Sequence, residues 1–184
     1  MATAHSHSEF DHLIESWQLP DGTRVTIRPI RPDDLALETA FVDGLSHEAS
    51  YNRLFSPRHL QPEELWRFTH IDYEREMALI ATACVDGRER QIAVARYVRD
   101  DEAGHEQAAE AAFAIVVGDE WQGTGLGTRL MRKLIATAKA AGVRRLADVT
   151  LSTNEGMRAL SRKLGFTVKR DPRDATITRL TLDL

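Results

Sequence analysis

Hydrophobic positions along the chain change period several times, and each change marks an element. Thr23–Ile30 alternates Val25 and Ile27 with polar neighbours, the pattern of a half-buried strand. Asp21-Gly22 ahead of it is a turn signal, and Pro29 with Pro32 closes it. Asp33 or Asp34 then caps a predicted helix with Leu35, Leu37, Phe41, Val42 and Leu45 as candidate core. A short helix is expected over 47–56, ending at Pro57. Gln61-Pro62-Glu63-Glu64 opens another, with Leu65, Trp66 and Phe68 as its apolar set. Met77–Val85 and Gln91–Arg99 read as a hairpin turned at Asp86-Gly87. After a polar loop at 100–108, Ala109–Val117 is the next strand. From Leu126, the residues Leu130, Met131, Leu134, Ile135 and Ala138 continue one helical stripe, which Gly142 stops. Arg145–Leu151 is a strand. Ser152 or Thr153 caps a helix that turns Met157, Leu160 and Leu164 inward and ends at Gly165. Phe166–Lys169 and Thr176–Leu182 are the last strands. The fold class expected is α/β (α+β): one domain, residues 19–184, around a mixed sheet flanked by helices. A polar, His-rich flexible arm over 1–18 precedes it.

Composition narrows the setting. Of 184 residues, 42% are hydrophobic and 28% charged, a globular balance with enough chain for a sizeable core. The longest apolar runs are far too short to cross a bilayer. No secretory signal is visible, and the single cysteine, Cys84, excludes an internal disulfide. The expectation is a cytoplasmic protein without membrane or nucleic-acid partners, Cys84 being a small buried hydrophobe rather than a nucleophile. His5, His7 and His12 lack the further ligands of a metal site, so no metal is expected. Oligomeric state is not legible. Residues 1–119 carry 11 Lys+Arg against 22 Asp+Glu, whereas 120–170 carry 11 against 3. A basic segment suits a polyanionic ligand and an acidic remainder suits a cationic partner, although both are also ordinary solvated faces.

Chemistry concentrates at Gln122-Gly123-Thr124-Gly125-Leu126-Gly127, between a strand and a helix. Glycines let the backbone approach a ligand, and the helix start offers unpaired N–H groups and the positive dipole end, a combination that binds phosphate. A P-loop is excluded because Thr128-Arg129 follows Gly127 where Lys-Ser/Thr is needed. A dinucleotide fingerprint is disfavoured. The third glycine comes one residue early, and five residues separate strand from loop. Although Asp148 mimics the ribose-binding acid, only 36 residues follow it.

The hexapeptide resembles the Q/R-x-x-G-x-G/A signature of the GNAT superfamily of acetyl-CoA-dependent N-acetyltransferases. Its context agrees: Phe113–Val117 before it, a helix after it, then Asn154 and Lys163-Leu164-Gly165-Phe166. The stretches Leu19–Gly22, Ile27–Asp34, Asp72–Leu79 and Val94–Tyr97 are similar to the catalytic domain of bacterial protein-lysine acetyltransferases. The resemblance implies a GNAT fold with a mostly antiparallel twisted sheet, acetyl-CoA as cosubstrate, and direct transfer to an amine, a protein lysine being the expected acceptor. It also implies site residues. Backbone amides of Gln122, Gly123, Thr124, Gly125, Leu126, Gly127 and Thr128 would hold the diphosphate. Val116 and Val117 would pair with the pantetheine arm, Asn154 would touch it, and the Val116 N–H would serve the oxyanion. Arg129 is a candidate for the remaining phosphate.

A free lysine has a pKa near 10.4, so about one in 2,500 is neutral at pH 7, and a general base is worth up to about 4–5 kcal/mol. In the protein-acetylating group a glutamate usually precedes the strand phenylalanine, and here that position is Ala112. The candidate bases are therefore Glu110, two residues earlier on the same strand face, then Asp148 and Glu76. Ser161 occupies the position of a frequent tyrosine acid, which turns attention to Tyr97 or Tyr73. Two alternatives follow from these departures: a catalytically weak acyl-CoA sensor domain, and a small-amine acetyltransferase.

Overall fold

The computed structural model describes residues 7–54, 60–99 and 109–184. Its centre is one eight-stranded sheet. The strands are β1 (Glu15–Gln18), β2 (Arg24–Pro29), β3 (Glu76–Val85), β4 (Arg88–Arg99), β5 (Glu110–Val117), β6 (Arg145–Leu151), β7 (Thr167–Arg170) and β8 (Ile177–Asp183). They lie in the order β1-β2-β3-β4-β5-β6-β8-β7. Every neighbouring pair is antiparallel except β5 and β6, which are parallel. The helices are α1 (Leu35–Asp43), α2 (His47–Leu54), α3 (Pro62–Thr69), α4 (Leu126–Ala140) and α5 (Glu155–Lys163).

Strand alternation divides the core in two. Met77, Tyr97 and Phe113 sit opposite one another across β3, β4 and β5, and so do Leu79, Ala95 and Ile115. These side chains pack with Leu126, Leu130, Met131 and Leu134 of α4. The intervening residues Ile80, Val94 and Val116 face the other way, against Ile30 and Phe41 of the α1 side. β3 is therefore apolar on both faces, which is why it reads as an unbroken hydrophobic run. Leu130 and Leu134 are fully buried, and truncating either to alanine costs about 2–5 kcal/mol.

Several expectations need correction. Residues 7–18, read as an arm, carry a 3-10 turn (His7–Leu13) and strand β1. Leu13 joins the main core, the Phe10 ring stacks on Tyr73 at 4.7 Å, and β1 pairs with β2 from Glu15–Ile27 to Gln18–Arg24. A four-residue strand is too short for alternation to announce itself. Asn154, rather than Ser152 or Thr153, caps α5 by accepting the Met157 N–H at 3.0 Å. Cys84 is exposed on β3. Trp66 is 51% exposed, because only Leu65 of the α3 apolar set is buried. His5, part of the helix ending at Pro57, and the loop 100–108 fall outside the described residues. The Ile27–Asp34 motif is structural: Arg28 makes two bonds to the Asp34 carboxylate (2.7 and 2.6 Å), which also accepts the Arg31 N–H (2.7 Å).

Candidate active site

β5 and β6 pair only at Glu110–Arg145 and Ala111–Leu146. Beyond that point they separate, and Asp148 fills the apex: its carboxylate accepts the Phe113 N–H at 3.2 Å, where a ladder carbonyl would otherwise stand. The direction of this bond fixes the rest of the edge. β4 and β5 stay in regular antiparallel register from Arg99–Ala111 to Ala93–Val117, and the Gly118 N–H returns to the Ile92 carbonyl at 2.9 Å. Even-numbered residues of β5 thus direct their backbone groups to β4 and odd-numbered residues direct theirs to the opening. The amides facing the opening are those of Ile115 and Val117. The Val116 N–H points into the sheet, so the oxyanion-donor expectation moves from Val116 to Ile115. Ladder direction is set by register, which side-chain pattern does not reveal.

The opening is a cleft of about 700 Å³. Phe113, Ile115, Val116, Val117, Gln122, Gly123, Gly125, Gly127, Thr128, Asp148 and Asn154 line it, with Glu48 and Ala49 of α2 on a further wall. Gly123 and Gly125 have φ of 75° and 87°, a left-handed backbone that favours glycine. A Cβ at either would meet nothing within 4 Å, so the space beside them is free. Gly127 serves packing instead: its Cβ would sit 3.4 Å from Val117 Cγ2 and 3.8 Å from Ile115 Cδ1. Thr124 stays out of the lining and braces the turn, donating its hydroxyl to the Trp121 carbonyl at 2.7 Å. Leu126 sends its side chain into the core at 2% exposure. The first turn of α4 contains no acidic residue, which leaves its dipole and its unbonded N–H groups available to an anion.

The five acid–base candidates separate sharply. Asp148 lies in the cleft, and burial raises its carboxyl above the usual carboxylate range, partly offset by the Val149 and Phe113 N–H groups. Glu110 sits at the closed end of the β5–β6 pair, 3.9 Å from Arg145, and does not line the cleft. Tyr97 is 2% exposed beneath the sheet, its phenol pushed up by desolvation, and does not line the cleft either. Tyr73 gives its hydroxyl to the Ile30 carbonyl, and burial pushes it up to about 12. Glu76 is buried in an ion pair with Arg67 at 2.6 Å. Ser161 is buried. Asp148 is thus the carboxylate, of those singled out, that the fold brings beside the free amides.

The charge pattern resolves in the same way. Arg129 bonds Glu15 at 2.6 Å and stacks over the Trp17 ring at 4.1 Å, and Lys133 also reaches Glu15 at 3.2 Å. Glu15 of β1 therefore offsets part of the positive charge on the helix face beside the loop, and its bond to Arg129 competes with a phosphate role for that residue. Sequence reasoning missed Trp121, Glu48 and Ala49 of the lining, and no local pattern signals them. The Asn154 oxygen is spent on its cap, which leaves the amide nitrogen to face a ligand.

A strand released at its middle, a glycine turn and an acid-free helix start meet in this one cleft. The family profile described as Acetyltransferase (GNAT) family matches residues 45–166, about two thirds of the chain. The chain belongs to the GNAT family of acetyltransferases. Acetyltransferase PA5475 of Pseudomonas aeruginosa is 36% identical over 184 residues, covering 98% of this chain and 95% of its own. Among solved structures, the GNAT domain of S. lividans PAT superposes with a TM-score of 0.81 at 33% identity, covering 95% of this chain and 98% of that one. The yncA protein of Salmonella typhimurium, a putative acetyltransferase solved with its cofactor acetyl-CoA, shares the fold at 20% identity. Its TM-score is 0.68, over 87% of this chain and 94% of that one. The GNAT fold expected from the sequence, a mixed sheet flanked by helices, is the fold observed. No helix among the described residues is long and apolar enough to cross a membrane.

Proposed function

We propose that this GNAT enzyme transfers an acetyl group from acetyl-CoA directly to the ε-amine of a protein lysine, with Asp148 as proton acceptor. One observation carries the reading: the free amides of Ile115 and Val117 run along a single cleft from the Asp148 carboxylate to the glycine turn. The residues fit the donor. Amides from Gly123 to Thr128 would hold its diphosphate, the β5 edge would hold the pantetheine arm, and the Asn154 amide would touch it. Bound there, acetyl-CoA supplies an acetyl group activated as a thioester.

The chain's own contribution is positioning and proton management. Asp148 would draw the proton from the incoming ammonium, and its burial makes it a stronger base than an exposed carboxylate. Glu48, on the α2 wall, adds negative charge that favours a cationic acceptor. No tyrosine among the residues whose side chains are described lines the cleft. The protein acceptor is supported by the sequence likeness to protein-lysine acetyltransferases and by the structural likeness to the GNAT domain of PAT.

The test is transfer from labelled acetyl-CoA to a panel of lysine-bearing proteins and a panel of small amines. The expected result is label on protein, lost in Asp148→Asn with coenzyme affinity retained. Tight coenzyme binding with no transfer to any acceptor would overturn the enzyme reading in favour of a sensor. Label confined to small amines would overturn the lysine assignment.

A further inference from the structure

The junction between α1 and α2 is fastened to the turn that leads into the glycine loop. Ser46 donates its backbone N–H (3.1 Å) and its hydroxyl (2.8 Å) to the two carboxylate oxygens of Asp119, 73 positions later. The Ser46 hydroxyl oxygen also accepts the Ala49 N–H at 3.2 Å, so one residue caps α2 while it grips Asp119. Asp119 opens a 3-10 turn, Asp119–Trp121. The Trp121 carbonyl receives the Thr124 hydroxyl at 2.7 Å, and the Thr124 oxygen receives the Leu126 N–H at 3.4 Å. A continuous run of bonds and short turns therefore joins the first turn of α2 to the first turn of α4. Gly118, just before it, has no slack: a Cβ there would lie 3.2 Å from the Ile92 carbonyl and 3.4 Å from Trp121 Cδ1.

Both ends of this run line the same cleft, Glu48 and Ala49 at one end and Gly123, Gly125 and Gly127 at the other, with Asp119 between them. We infer that Ser46 and Asp119 are positioning residues that couple the coenzyme loop to the α2 wall, so that filling the loop holds the acceptor side in place. The inference rests on the coenzyme site proposed above. Its physical basis is the exposure of the clasp. Solvent-exposed hydrogen bonds open readily, because water competes for both partners. A ligand that rigidifies the Trp121–Gly125 turn removes part of the entropy that closing the clasp costs. By linkage, an ordered α2 then raises coenzyme affinity by the same factor.

Hydrogen exchange of the full chain, with and without saturating coenzyme A as the probe, tests this. In the unaltered protein, coenzyme A is expected to slow exchange across 46–50 as well as across 118–128, by about tenfold. By the same linkage, Asp119→Asn and Ser46→Ala should weaken coenzyme affinity by up to about that same tenfold by calorimetry, and at saturating coenzyme should keep the protection of 118–128. They should lose the coenzyme-dependent slowing at 46–50, and Ser46→Thr should restore it. A purely structural role would speed exchange at 46–50 equally with and without coenzyme, and that result would overturn the coupling. Indifference of 46–50 to coenzyme in the unaltered protein would overturn it too, leaving the coenzyme site intact. Absence of any coenzyme binding would remove the site and the coupling together.

Discussion

The two ends of β5 belong to one strand and behave as opposites. Its first residues are held on both sides, Ala111 by Arg99 of β4 and by Leu146 of β6. Its last residues are held on one side only. Glu110, which the side-chain period favours as a base, stands at the held end, where backbone bonds leave no room for a ligand. Asp148, contributed by the neighbouring strand, stands where the release begins. A reactive position here is defined by which backbone groups lack partners, and the acid that matters is the one beside them.

The most damaging way to break the released end is Gly125→Asp. It puts a side chain at φ 87° and a negative charge where an anion must lie. Coenzyme affinity measured by calorimetry should fall at least about 100-fold, roughly 2.7 kcal/mol. Next comes Asp148→Asn, expected to lower kcat about 100- to 1,000-fold with coenzyme affinity unchanged. Because burial raises the Asp148 carboxyl, the folded state favours its protonated form. That contribution is present below the ordinary carboxylate range and is lost as pH rises through the raised value. Asp148→Asn should therefore increase Tm at pH 7 relative to the parent, with the gap closing in acid. The activity profile should show a rising limb placed above the usual carboxylate range, absent in the variant.

The direction of the amides is sharpened by a pair of prolines. Ile115→Pro removes an N–H that faces the cleft and should cost about 10- to 100-fold in kcat/KM while the protein still folds. Val116→Pro removes a ladder bond to β4 and should lower Tm sharply or abolish folding. Equal effects from the two would refute the assigned alternation. The smallest effects belong to the held end and the core: Glu110→Gln and Tyr97→Phe should each change kcat by less than about threefold, since neither side chain lines the cleft.

Much of the fold was legible because it rests on period. The run from Met77 to Val85, the Leu126–Ala138 stripe and the positive-φ turn at Asp86-Gly87 announce themselves. The glycine loop was equally plain, since positive φ at Gly123 and Gly125 demands a particular residue type. What stayed hidden depends on distant partners. The inward turn of the Val116 N–H follows from a register with Val94. The capture of Arg129 follows from Glu15, 114 positions away, and the Ser46–Asp119 clasp spans 73. The exposure of Cys84 and Trp66 likewise reflects which neighbours reach them, not their own polarity.

Beyond Asp148, the parting of β5 from β6 leaves an open sheet edge along the cleft, and the β5 residues that form it, Ala114 to Val117, include none of the charges or prolines that commonly guard such edges. An extended chain from another molecule finds there the same unclaimed groups that a coenzyme arm would use. Purified stocks stripped of ligand should therefore self-associate sooner on storage than stocks kept with coenzyme A, and light scattering over days at fixed concentration would record the difference.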